Sequence, residues 1–511
     1  MPQHEMLLTR STYNAILIAA LLLGTASFFL HRSGHPLTYD EGDYLVAVER
    51  GVFVNWTDHD DIGIAEFVRM GIGAMQDPAS RQRLSDYIRS SGSTGFHRHY
   101  HPPLAFYPAA AIQPLVASLT PQWRLRLSNL FWLYIWILAL WLIGRRVPQA
   151  RTPLPLLLPA SSAWAMAVVG FNMHLPFGLL TSLFLYCWYL YEEHGCKECR
   201  RAAQFFFAAS IITVAYGMFL VFFISLWAAI MFWKSGDKKS YLRGVLHHIA
   251  WVLLFIALLW PAAFTNLGIL KNWVFTMYIA LMRLSDEPAV YTGWLQLLFE
   301  KWNANPVELL LLVALPVMML MRPRLTAMRG SLVVALGFTA LLVYLQFNPA
   351  LVYRWYLFPA FAVIFLLFGT VSWQRLTGSM TEDTSAGGAR RLAWMSVGIA
   401  ALLFVSALLL VNKPDYTAEQ QLHDAVNKLD TRHITLPRSV LPTIRAHHPE
   451  LSLHSIHDVA YAEMTTADSI ATWRARGAVI VPLGVDTGPH NPDAVAGNYA
   501  VFHARSPEEL Q

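Results

Sequence analysis

Ten apolar runs constrain this sequence more than any other feature, because nine of them are close to the length that crosses the hydrocarbon core of a bilayer. Such runs predict membrane-spanning helices, since a helix satisfies its own backbone hydrogen bonds in lipid. The run 202–233 is too long for one span, and the turn-favouring pair Tyr216-Gly217 divides it in two. The predicted spans cover residues 13–30, 127–143, 153–171, 174–191, 202–216, 218–233, 244–264, 306–321, 330–347, 353–371 and 393–412.

The composition agrees with a membrane protein and argues against an ordinary soluble enzyme. The 511-residue chain is 55% hydrophobic and only 14% charged, whereas about a quarter of the residues in a soluble domain are charged. Its net charge of +5 comes from lysines and arginines in short clusters between the apolar runs, and not from one basic face or tail. We therefore expect an integral membrane protein and no nucleic-acid partner.

The segment 104–119 decides the predicted topology. It is short for a span, and Pro108 and Pro114 each remove a backbone donor. If it does not span, the basic clusters that follow the later runs all fall on the side of Arg10, as the positive-inside rule requires. The segment is therefore predicted to be a re-entrant or interfacial helix. The sizeable segments that then lie outside the cytoplasm are 31–103, 265–305 and 413–511.

These outer segments differ in character. The loop 265–305 mixes aromatic residues with cations such as Lys271, which is typical of an amphipathic helix at headgroup depth. Such a helix could rim a lipid-binding groove or serve only as an interfacial anchor. The tail 413–511 alternates helical stretches with short apolar strands, which predicts a small α/β domain with a mostly parallel sheet. It contains no glycine-rich phosphate loop, and we assign it no catalysis.

Three carboxylates in four residues follow the first span: Asp40, Glu41 and Asp43. A carboxylate that is partly removed from water acquires a raised pKa, which suits a general base. The same residues could instead form a solvated acidic turn or complement a helix N-terminus. They are therefore candidates for a base at the membrane surface, with a helix cap as the alternative.

The same outer loop closes with the sequence HRHYHPPL, which starts at His97. Pro102 and Pro103 stiffen the backbone directly after His101, so this side chain is expected to keep one orientation as the chain enters the membrane. Cationic or donating groups at this depth can bind a lipid phosphate. Alternating histidines can also ligate a divalent metal with the acidic residues, and a basic cluster can simply meet anionic headgroups.

The two halves of this loop together resemble the GT-C class of glycosyltransferases. An Asp-Glu pair just after the first span, a tyrosine three residues beyond the glutamate and a (His/Lys)-Pro-Pro-Leu that closes the loop are similar to those of protein O-mannosyltransferases and lipid A aminoarabinose transferases. Two weaker matches are Asn172-Met173-His174 and the segment 353–359 with Arg354. The resemblance implies a multi-spanning, inverting enzyme that takes a sugar from a polyprenyl-phosphate carrier on the outer or lumenal face of a membrane, and here we expect the outer face of a bacterial inner (plasma) membrane.

The resemblance also assigns roles to residues of this chain. Asp40 would take the proton from the acceptor hydroxyl, while Arg354 with His101 would stabilise the departing polyprenyl phosphate. The candidates are Asp40, Glu41 and Asp43 for catalysis, Arg98, His101, Arg354 and Lys271 for the donor phosphate, and Tyr44, His99, Asn172 and His174 for acceptor or sugar. The resemblance implies no definite cofactor, and a divalent metal, if one is used, would be held by Asp40, Asp43, His99 and His101. The implied partners are a polyprenyl-phosphate sugar, membrane lipids and a glycan, lipid or protein acceptor.

The sequence departs from the pattern in ways that bear on the acceptor. O-mannosyltransferases continue the Pro-Pro-Leu with Gly-Lys, whereas Ala105-Phe106 follows here, and no β-trefoil insertion is recognisable. Both departures argue against a protein acceptor of that type. The expected architecture is an all-α polytopic GT-C domain over 1–412, with about 11 spans and outer loops 31–103 and 265–305 at the active site, followed by a soluble α/β domain over 413–511.

Two rival classes of membrane protein and a zinc site agree less well with the sequence. A lipid-phosphate-binding transporter or flippase would also be polytopic, but transporters usually carry internal repeats and ionisable residues at mid-membrane, and neither is seen here. O-antigen polymerases and ligases place their large outer loop late in the chain. A zinc site at Cys196, Cys199 and His194 would have three nearby ligands where a structural zinc needs four.

Overall fold

The computed structural model describes residues 8–31, 35–37, 39–50, 64–84, 102–214, 216–265, 306–320, 329–345, 357–378, 385–410, 417–437, 440–456, 467–483 and 490–505. Within these ranges the chain is helical up to residue 410, and a five-stranded sheet with its helices follows. By length and composition, four described helices can cross a membrane: Arg10–His31, Pro121–Arg146, Gly217–Lys234 and Lys238–Leu259. Shorter apolar helices cover Gly330–Leu345, Phe358–Gln374 and Ala393–Leu409. The total of eleven spans stays a prediction.

The outward surfaces of the long helices are apolar. Helix Lys238–Leu259 has no buried residue, although its sequence is among the most apolar of the chain. Leu258 is 68% exposed and Leu246 is 56% exposed. Apolar surface of this extent is unfavourable in water by about 25 cal/mol per Å². It therefore matches a helix that faces lipid.

The acidic segment is one of the first six described helices of the chain. Helix α1 precedes it, and the later helix α6 runs antiparallel to α1, because Tyr13 near the start of α1 contacts Gly144 near the end of α6, while Gly24 faces Leu133. The acidic residues lie on the helix that follows α1. The bounds are α1 (Arg10–His31), α2 (Tyr39–Arg50), α3 (Ile64–Gln76), α4 (Tyr107–Val116), α5 (Pro121–Arg126) and α6 (Ser128–Arg146).

The segment 104–119 forms a helix too short to cross a bilayer. A 3₁₀ turn over Pro103–Phe106 leads into the ten-residue α4. At about 1.5 Å per residue this helix is roughly half of the 30 Å hydrocarbon thickness. This length agrees with the predicted re-entrant or interfacial helix.

The prediction of one continuous span over 153–171 is wrong. The segment divides into a 3₁₀ turn over Leu154–Leu156 and the short helices α7 (Leu157–Ala160) and α8 (Ser162–Ala167). Prolines at 153, 155 and 159 cannot donate to a helix, and Ser161 is extended and accepts a hydrogen bond from Trp164 N at 3.1 Å. The whole segment is buried, which is where a membrane protein tolerates irregular backbone.

The predicted turn at Tyr216-Gly217 is confirmed. Helix α11 begins at Gly217, where a Cβ atom would lie 2.6 Å from the Cα of Ile211. At the start of α10, Cys196 and Cys199 form a disulfide, so neither is a thiolate for zinc. The helices of this part are α9 (His174–His194), α10 (Lys197–Ile211), α11 (Gly217–Lys234), α12 (Lys238–Leu259) and α13 (Ala262–Thr265).

The later helices close the bundle around α9. Phe358 packs on Gly178 of α9, where a Cβ atom would lie 2.9 Å from the Cα of Pro359. The buried Glu308 accepts hydrogen bonds from the Ser162 hydroxyl and from Ala163 N, and it thereby holds the start of α8. The elements are α14 (Pro306–Leu320), α15 (Gly330–Leu345), α16 (Phe358–Val363), a π-helical turn (Ile364–Phe368), α17 (Gly369–Gly378) and α18 (Ser385–Leu410).

The tail forms an α/β unit, as the alternating pattern predicts. The strand order is β2-β1-β3-β5-β4, in which β1 pairs parallel with β2 and β3 while β5 pairs antiparallel with β3 and β4. The expected mostly parallel sheet therefore holds only for the first three strands. The elements are α19 (Thr417–Asn427), β1 (His433–Pro437), α20 (Leu441–His447), β2 (Ser452–Ile456), α21 (Ala467–Arg474), β3 (Ala478–Pro482), β4 (Ala494–Ala496) and β5 (Tyr499–Phe502).

Candidate active site

The acidic helix α2 is fixed by an ion pair that is almost completely buried. Glu41 is 1% exposed and Arg126 of α5 is 2% exposed. Arg126 Nε donates to Glu41 Oε1 at 2.7 Å, and Arg126 Nη2 donates to Oε2 at 2.6 Å. This two-pronged geometry is the strongest arrangement that an arginine and a carboxylate can form.

Backbone groups complete the hydrogen bonding of this pair. Phe171 N donates to Glu41 Oε1 at 2.7 Å. Arg126 Nη1 donates to the carbonyl of His35 at 3.2 Å, and its Nη2 donates to the carbonyl of Pro36 at 3.3 Å. A buried pair is tolerated only when its remaining donors and acceptors are satisfied in this way. The pair therefore joins four segments: the connection before α2, α2 itself, helix α5 and residues 170–171.

Gly170 leaves the space that this arrangement needs. A Cβ atom at this position would lie 3.2 Å from Glu41 Oε1, which is tighter than an ordinary contact. The carbonyl of Gly170 accepts a hydrogen bond from Asn129 Nδ2 at 2.9 Å, so the segment is also held from α6. The carboxylate of Glu41 is thus enclosed on all described sides and does not face solvent.

The other predicted catalytic residues are described only in part. Asp40 and Asp43 belong to α2, but their side chains lie outside the described part of the structure. Four donor-phosphate candidates and one sugar-binding candidate lie wholly outside the described residues: Arg98, His101, Lys271 and Arg354, and His99. Their roles remain predictions.

An aromatic cluster joins the two ends of the predicted loop. The ring of Tyr44 in α2 lies 5.4 Å from that of Phe106, which follows the Pro-Pro-Leu sequence. Phe171 lies 5.6 Å from Tyr44 and 6.0 Å from Phe106. Leu104 N donates to the carbonyl of Ile212 at 3.2 Å, which fixes the end of the loop on α10. The start and end of the loop, far apart in sequence, therefore meet beside the buried ion pair.

Asn172 and His174 lie at the start of α9, immediately beyond this cluster. Asn172 is buried; its Nδ2 donates to the carbonyl of Ala167 at 2.8 Å, and its Oδ1 accepts from Leu175 N at 3.0 Å. His174 is 6% exposed and its ring lies 5.4 Å from that of Tyr216. Asn172 thus stabilises the turn that presents Phe171 N to Glu41, a contact that sequence reasoning did not anticipate.

A second unanticipated contact joins the C-terminal unit to the acidic helix. Helix α20 packs on α2, and Leu37 N donates to His447 Nε2 at 3.2 Å. The rings of His447 and His423 lie 4.6 Å apart, and His423 Nδ1 lies 3.2 Å from His448 Nε2. The three residues form what we term the histidine cluster, His423, His447 and His448.

The histidine cluster is kept neutral by its surroundings. Burial, together with the neighbouring His447 and His448, lowers the pKa of His423 to about 3. Burial, His448 and the more distant Arg126 lower the pKa of His447 to about 4, while Glu41 acts in the opposite direction. A neutral imidazole can accept the hydrogen bond from Leu37 N, whereas a protonated one cannot. The contact between α20 and the segment before α2 therefore depends on the uncharged form.

Two features of the sequence could have indicated the roles of Arg126 and of the histidine cluster. Arg124 and Arg126 follow the interfacial segment on the predicted outer side, against the charge rule that the other clusters obey. An arginine out of place in this way is a candidate for a paired, buried charge. For His447 and His448 the only signal is two adjacent histidines in a helix, which does not specify a partner.

No metal site is formed by the described residues. Among them, no group of three or more histidine, cysteine, aspartate or glutamate side chains is arranged to hold a metal ion. The proposed metal set includes residues outside the described ranges, so a divalent metal stays a prediction.

Comparison with known proteins identifies the fold. No protein-family model matches the sequence, and no curated protein matches it. The chain is similar in structure to ArnT from Cupriavidus metallidurans in the apo state, with a TM-score of 0.55, 13% identity and coverage of 98% of this chain and 99% of that one. The same protein bound to undecaprenyl phosphate gives a TM-score of 0.54 at 13% identity, covering 96% of this chain and 97% of that one.

A second similar structure is an archaeal oligosaccharyltransferase. AglB from Archaeoglobus fulgidus, in complex with an inhibitory peptide and a dolichol-phosphate, gives a TM-score of 0.51 at 10% identity, covering 92% of this chain and 69% of that one. ArnT is a lipid A aminoarabinose transferase, and both proteins are GT-C glycosyltransferases. The fold expected from the Asp-Glu and Pro-Pro-Leu motifs is thus confirmed: the chain has the GT-C fold.

Proposed function

We propose that this protein is an integral-membrane, inverting glycosyltransferase that moves a sugar from a polyprenyl-phosphate carrier to an acceptor hydroxyl at the outer face of the membrane. The observation that carries the proposal is the likeness in fold to ArnT, which extends over nearly the full length of both chains. One of those structures holds undecaprenyl phosphate, the kind of carrier proposed here.

The buried ion pair supports different roles for the carboxylates of α2, one of which positions the helix while another acts as the base. Glu41 is enclosed and accepts three hydrogen bonds, so we assign it a positioning role rather than a chemical one. Asp40 precedes Glu41 and Asp43 follows it on the same helix, so the pair also fixes the backbone of both. A base held in place in this way contributes roughly 10²- to 10⁴-fold to a reaction rate. Asp40 is the proposed base, in keeping with the motif.

The proposed reaction is a single displacement. Asp40 removes the proton of the acceptor hydroxyl as its oxygen forms a bond to the anomeric carbon. The bond between that carbon and the phosphate oxygen breaks at the same time, and its electron pair leaves with the polyprenyl phosphate. Attack from the face opposite the leaving group inverts the anomeric configuration.

The charge that develops on the phosphate calls for cations at headgroup depth. Arg354 lies just before α16 in the sequence, and an arginine there can form two parallel hydrogen bonds to a phosphate. His101 lies next to the Pro-Pro-Leu turn, whose backbone is fixed on α10. With Arg98 and Lys271, these residues are the proposed phosphate-binding set.

The aromatic cluster supports a place for the sugar. The half-buried ring of Tyr44, beside Phe106 and Phe171, offers an apolar face next to the acidic helix. We propose that Tyr44, with His99 and His174, contacts the sugar or the acceptor. Because the amide of Asn172 already bonds backbone groups, its proposed contribution is to hold the turn at 170–175.

A direct test compares two classes of donor. Purified full-length protein in lipid nanodiscs is incubated with an acceptor extract and a radiolabelled sugar, supplied either as a polyprenyl-phosphate sugar or as a UDP- or GDP-sugar. We expect release of free polyprenyl phosphate and labelled product only from the lipid-linked donor. The Asp40→Asn variant is the matched control, since it keeps the shape of the side chain and removes the base.

Two results would overturn the proposal. Turnover of a nucleotide sugar without any added or co-purified polyprenyl lipid would show a different donor class. Movement of the intact lipid-linked sugar across the bilayer of liposomes that contain the purified protein, without cleavage, would instead support a transporter or flippase.

A further inference from the structure

A basic cavity lies at the opposite end of the α1 and α6 pair from the acidic helix. Helix α1 contains 22 residues, so at about 1.5 Å per residue its two ends are roughly 33 Å apart, close to the hydrocarbon thickness of a bilayer. The acidic residues follow its last residue, whereas Arg10 is its first. The cavity is therefore at the other membrane surface from the proposed active site.

The cavity lies between the start of α1 and the end of α6. Tyr13 packs directly on Gly144, and its hydroxyl donates to the carbonyl of Leu140 at 2.9 Å. Beyond this contact the helices leave a cavity of about 320 Å³, lined by Arg10, Leu142, Arg145 and Arg146. This volume is at the lower end of the range for small-molecule sites.

The three arginines of the cavity have no acidic partner among the described residues. The guanidinium of Arg145 lies 4.6 Å from the ring of Trp141, which orients it without neutralising it. Within the described part of the chain, all three arginines are exposed. Three like charges this close repel one another, so a bound anion would be favourable.

An apolar stripe leads from the cavity along the outside of α6. Phe131, Tyr134, Leu138 and Leu142 are between 42% and 53% exposed and recur at the spacing of a single helix face. Leu142 belongs both to the stripe and to the cavity wall. A ligand that has an anionic group and a hydrocarbon chain would contact both.

We infer that this cavity, the arginine cavity (Arg10, Leu142, Arg145 and Arg146), binds an anionic phospholipid. Its phosphate would lie among the three guanidinium groups, which suit phosphate oxygens better than ammonium groups do. One acyl chain would follow the stripe of α6. Basic pockets between helices at a membrane surface bind anionic headgroups for the same reasons. The site is independent of the proposed transferase reaction.

The test measures lipid binding to the whole protein. Purified full-length protein is titrated with phosphatidylglycerol or phosphatidylcholine in mixed micelles, and bound lipids are counted by native mass spectrometry. We expect one phosphatidylglycerol to remain bound at the lowest concentrations. The triple variant R10Q/R145Q/R146Q should bind it about 100-fold more weakly, or roughly fivefold for each arginine removed.

A matched variant separates a built site from general surface charge. Lys197, Lys239 and Arg243 are exposed and do not line the cavity, so K197Q/K239Q/R243Q removes the same charge and should leave the tight phosphatidylglycerol bound. The variant R10K/R145K/R146K keeps the charge but loses the guanidinium fork, so its loss should be intermediate.

Several results would contradict the inference. Equal weakening in the matched variant would show a general charge effect, and equal affinity for phosphatidylcholine would show no preference for an anionic lipid. Displacement of the lipid by millimolar inorganic phosphate would show a site for a soluble anion. Each triple variant is checked for an unchanged melting temperature, and if R10Q/R145Q/R146Q is unstable, the three single substitutions should each show the fivefold loss.

Discussion

The arginines at the two ends of the α1 and α6 pair lie in opposite environments. Beside the acidic helix, Arg126 is 2% exposed and donates to both oxygens of Glu41 and to backbone carbonyls. At the other end, Arg10, Arg145 and Arg146 are exposed around a cavity and have no acidic partner among the described residues.

This difference distinguishes arginines that fix the backbone from arginines that can bind a ligand. A buried arginine with satisfied donors fixes the segments that it joins and has nothing left to offer a ligand, whereas an exposed arginine without a partner can meet an anion. The basic groups proposed to bind the carrier phosphate must therefore come from elsewhere on the outer side. Substitutions of the buried and the exposed arginines should therefore differ strongly in their effect on stability.

The largest effect is expected from breaking the buried pair. Arg126→Ala leaves the carboxylate of Glu41 buried without its partner, and we expect the free energy of unfolding to fall by about 3–5 kcal/mol. Steric trapping in bicelles measures this quantity for a membrane protein.

Replacing both partners sharpens the same test. The double variant Glu41→Leu/Arg126→Met leaves no unpaired charge, but Phe171 N loses its acceptor, so the variant should recover only part of the loss. A loss in Arg126→Ala no greater than that in Arg124→Ala would show that the buried pair does not fix the acidic helix.

A smaller loss of stability is expected when low pH protonates the histidine cluster. The pKa values of His423 and His447 lie below the ordinary value near 6.5, so unfolding or undocking takes up protons. The stabilisation is fully present above about pH 6.5 and is lost as the pH falls toward 4, by about 1–3 kcal/mol. The groups that face His447 are His423, His448, Glu41, Arg126 and Arg124, and His448 also lies 3.7 Å from Glu450.

Hydrogen exchange of the α20 amides, measured at pH 7.5 and at pH 5, reports this loss of stability at α20 itself. Protection of α20, corrected for the intrinsic rate, should fall at pH 5 in the native protein and fall less in His447→Gln. The control His503→Asn alters an exposed histidine of the same unit and should respond as the native protein does. Equal protection at both pH values would contradict the role of the neutral cluster.

The smallest effect is expected at Arg124, two residues before Arg126. Arg124 Nη1 lies 3.3 Å from Glu49 Oε1, and the side chains are 24% and 47% exposed. An exposed pair of this kind contributes about 0–1 kcal/mol and is screened by salt. Arg124→Ala should therefore change the free energy of unfolding by less than about 1 kcal/mol. A loss above about 2 kcal/mol would remove the contrast between the two arginines.

Much of the architecture could be predicted from hydropathy and turn chemistry. The long apolar helices, the turn at Gly217 and the short helix after Pro103 follow from run length and from residues that favour turns or remove donors. The break at 157–167 was missed because hydropathy alone does not distinguish a spanning helix from buried, irregular apolar backbone. The antiparallel half of the C-terminal sheet was missed because strand direction depends on pairing, which is not local.

The candidate site shows the same limit. The motif of Asp40 and Glu41 could be found in the sequence, but the different surroundings of the two carboxylates could not, because Arg126 lies 85 positions from Glu41 along the chain. The contact between Leu37 and His447 spans 410 positions. Local pattern therefore located the acidic helix, while the groups that hold it in place required the fold.

We propose that Glu41 holds the acidic helix in place and that Asp40 is the base of the transfer reaction. The measurement is the rate of sugar transfer from a polyprenyl-phosphate donor by Asp40→Asn, Asp43→Asn and the native protein, each with its free energy of unfolding. We predict that Asp40→Asn lowers the rate at least ~10²-fold while carrier binding survives and the free energy of unfolding stays within ~1 kcal/mol of the native value. A native rate in Asp40→Asn with an inactive Asp43→Asn would contradict the claim, and equal losses in both with sensitivity to chelator would indicate a metal held by Asp40, Asp43, His99 and His101 instead.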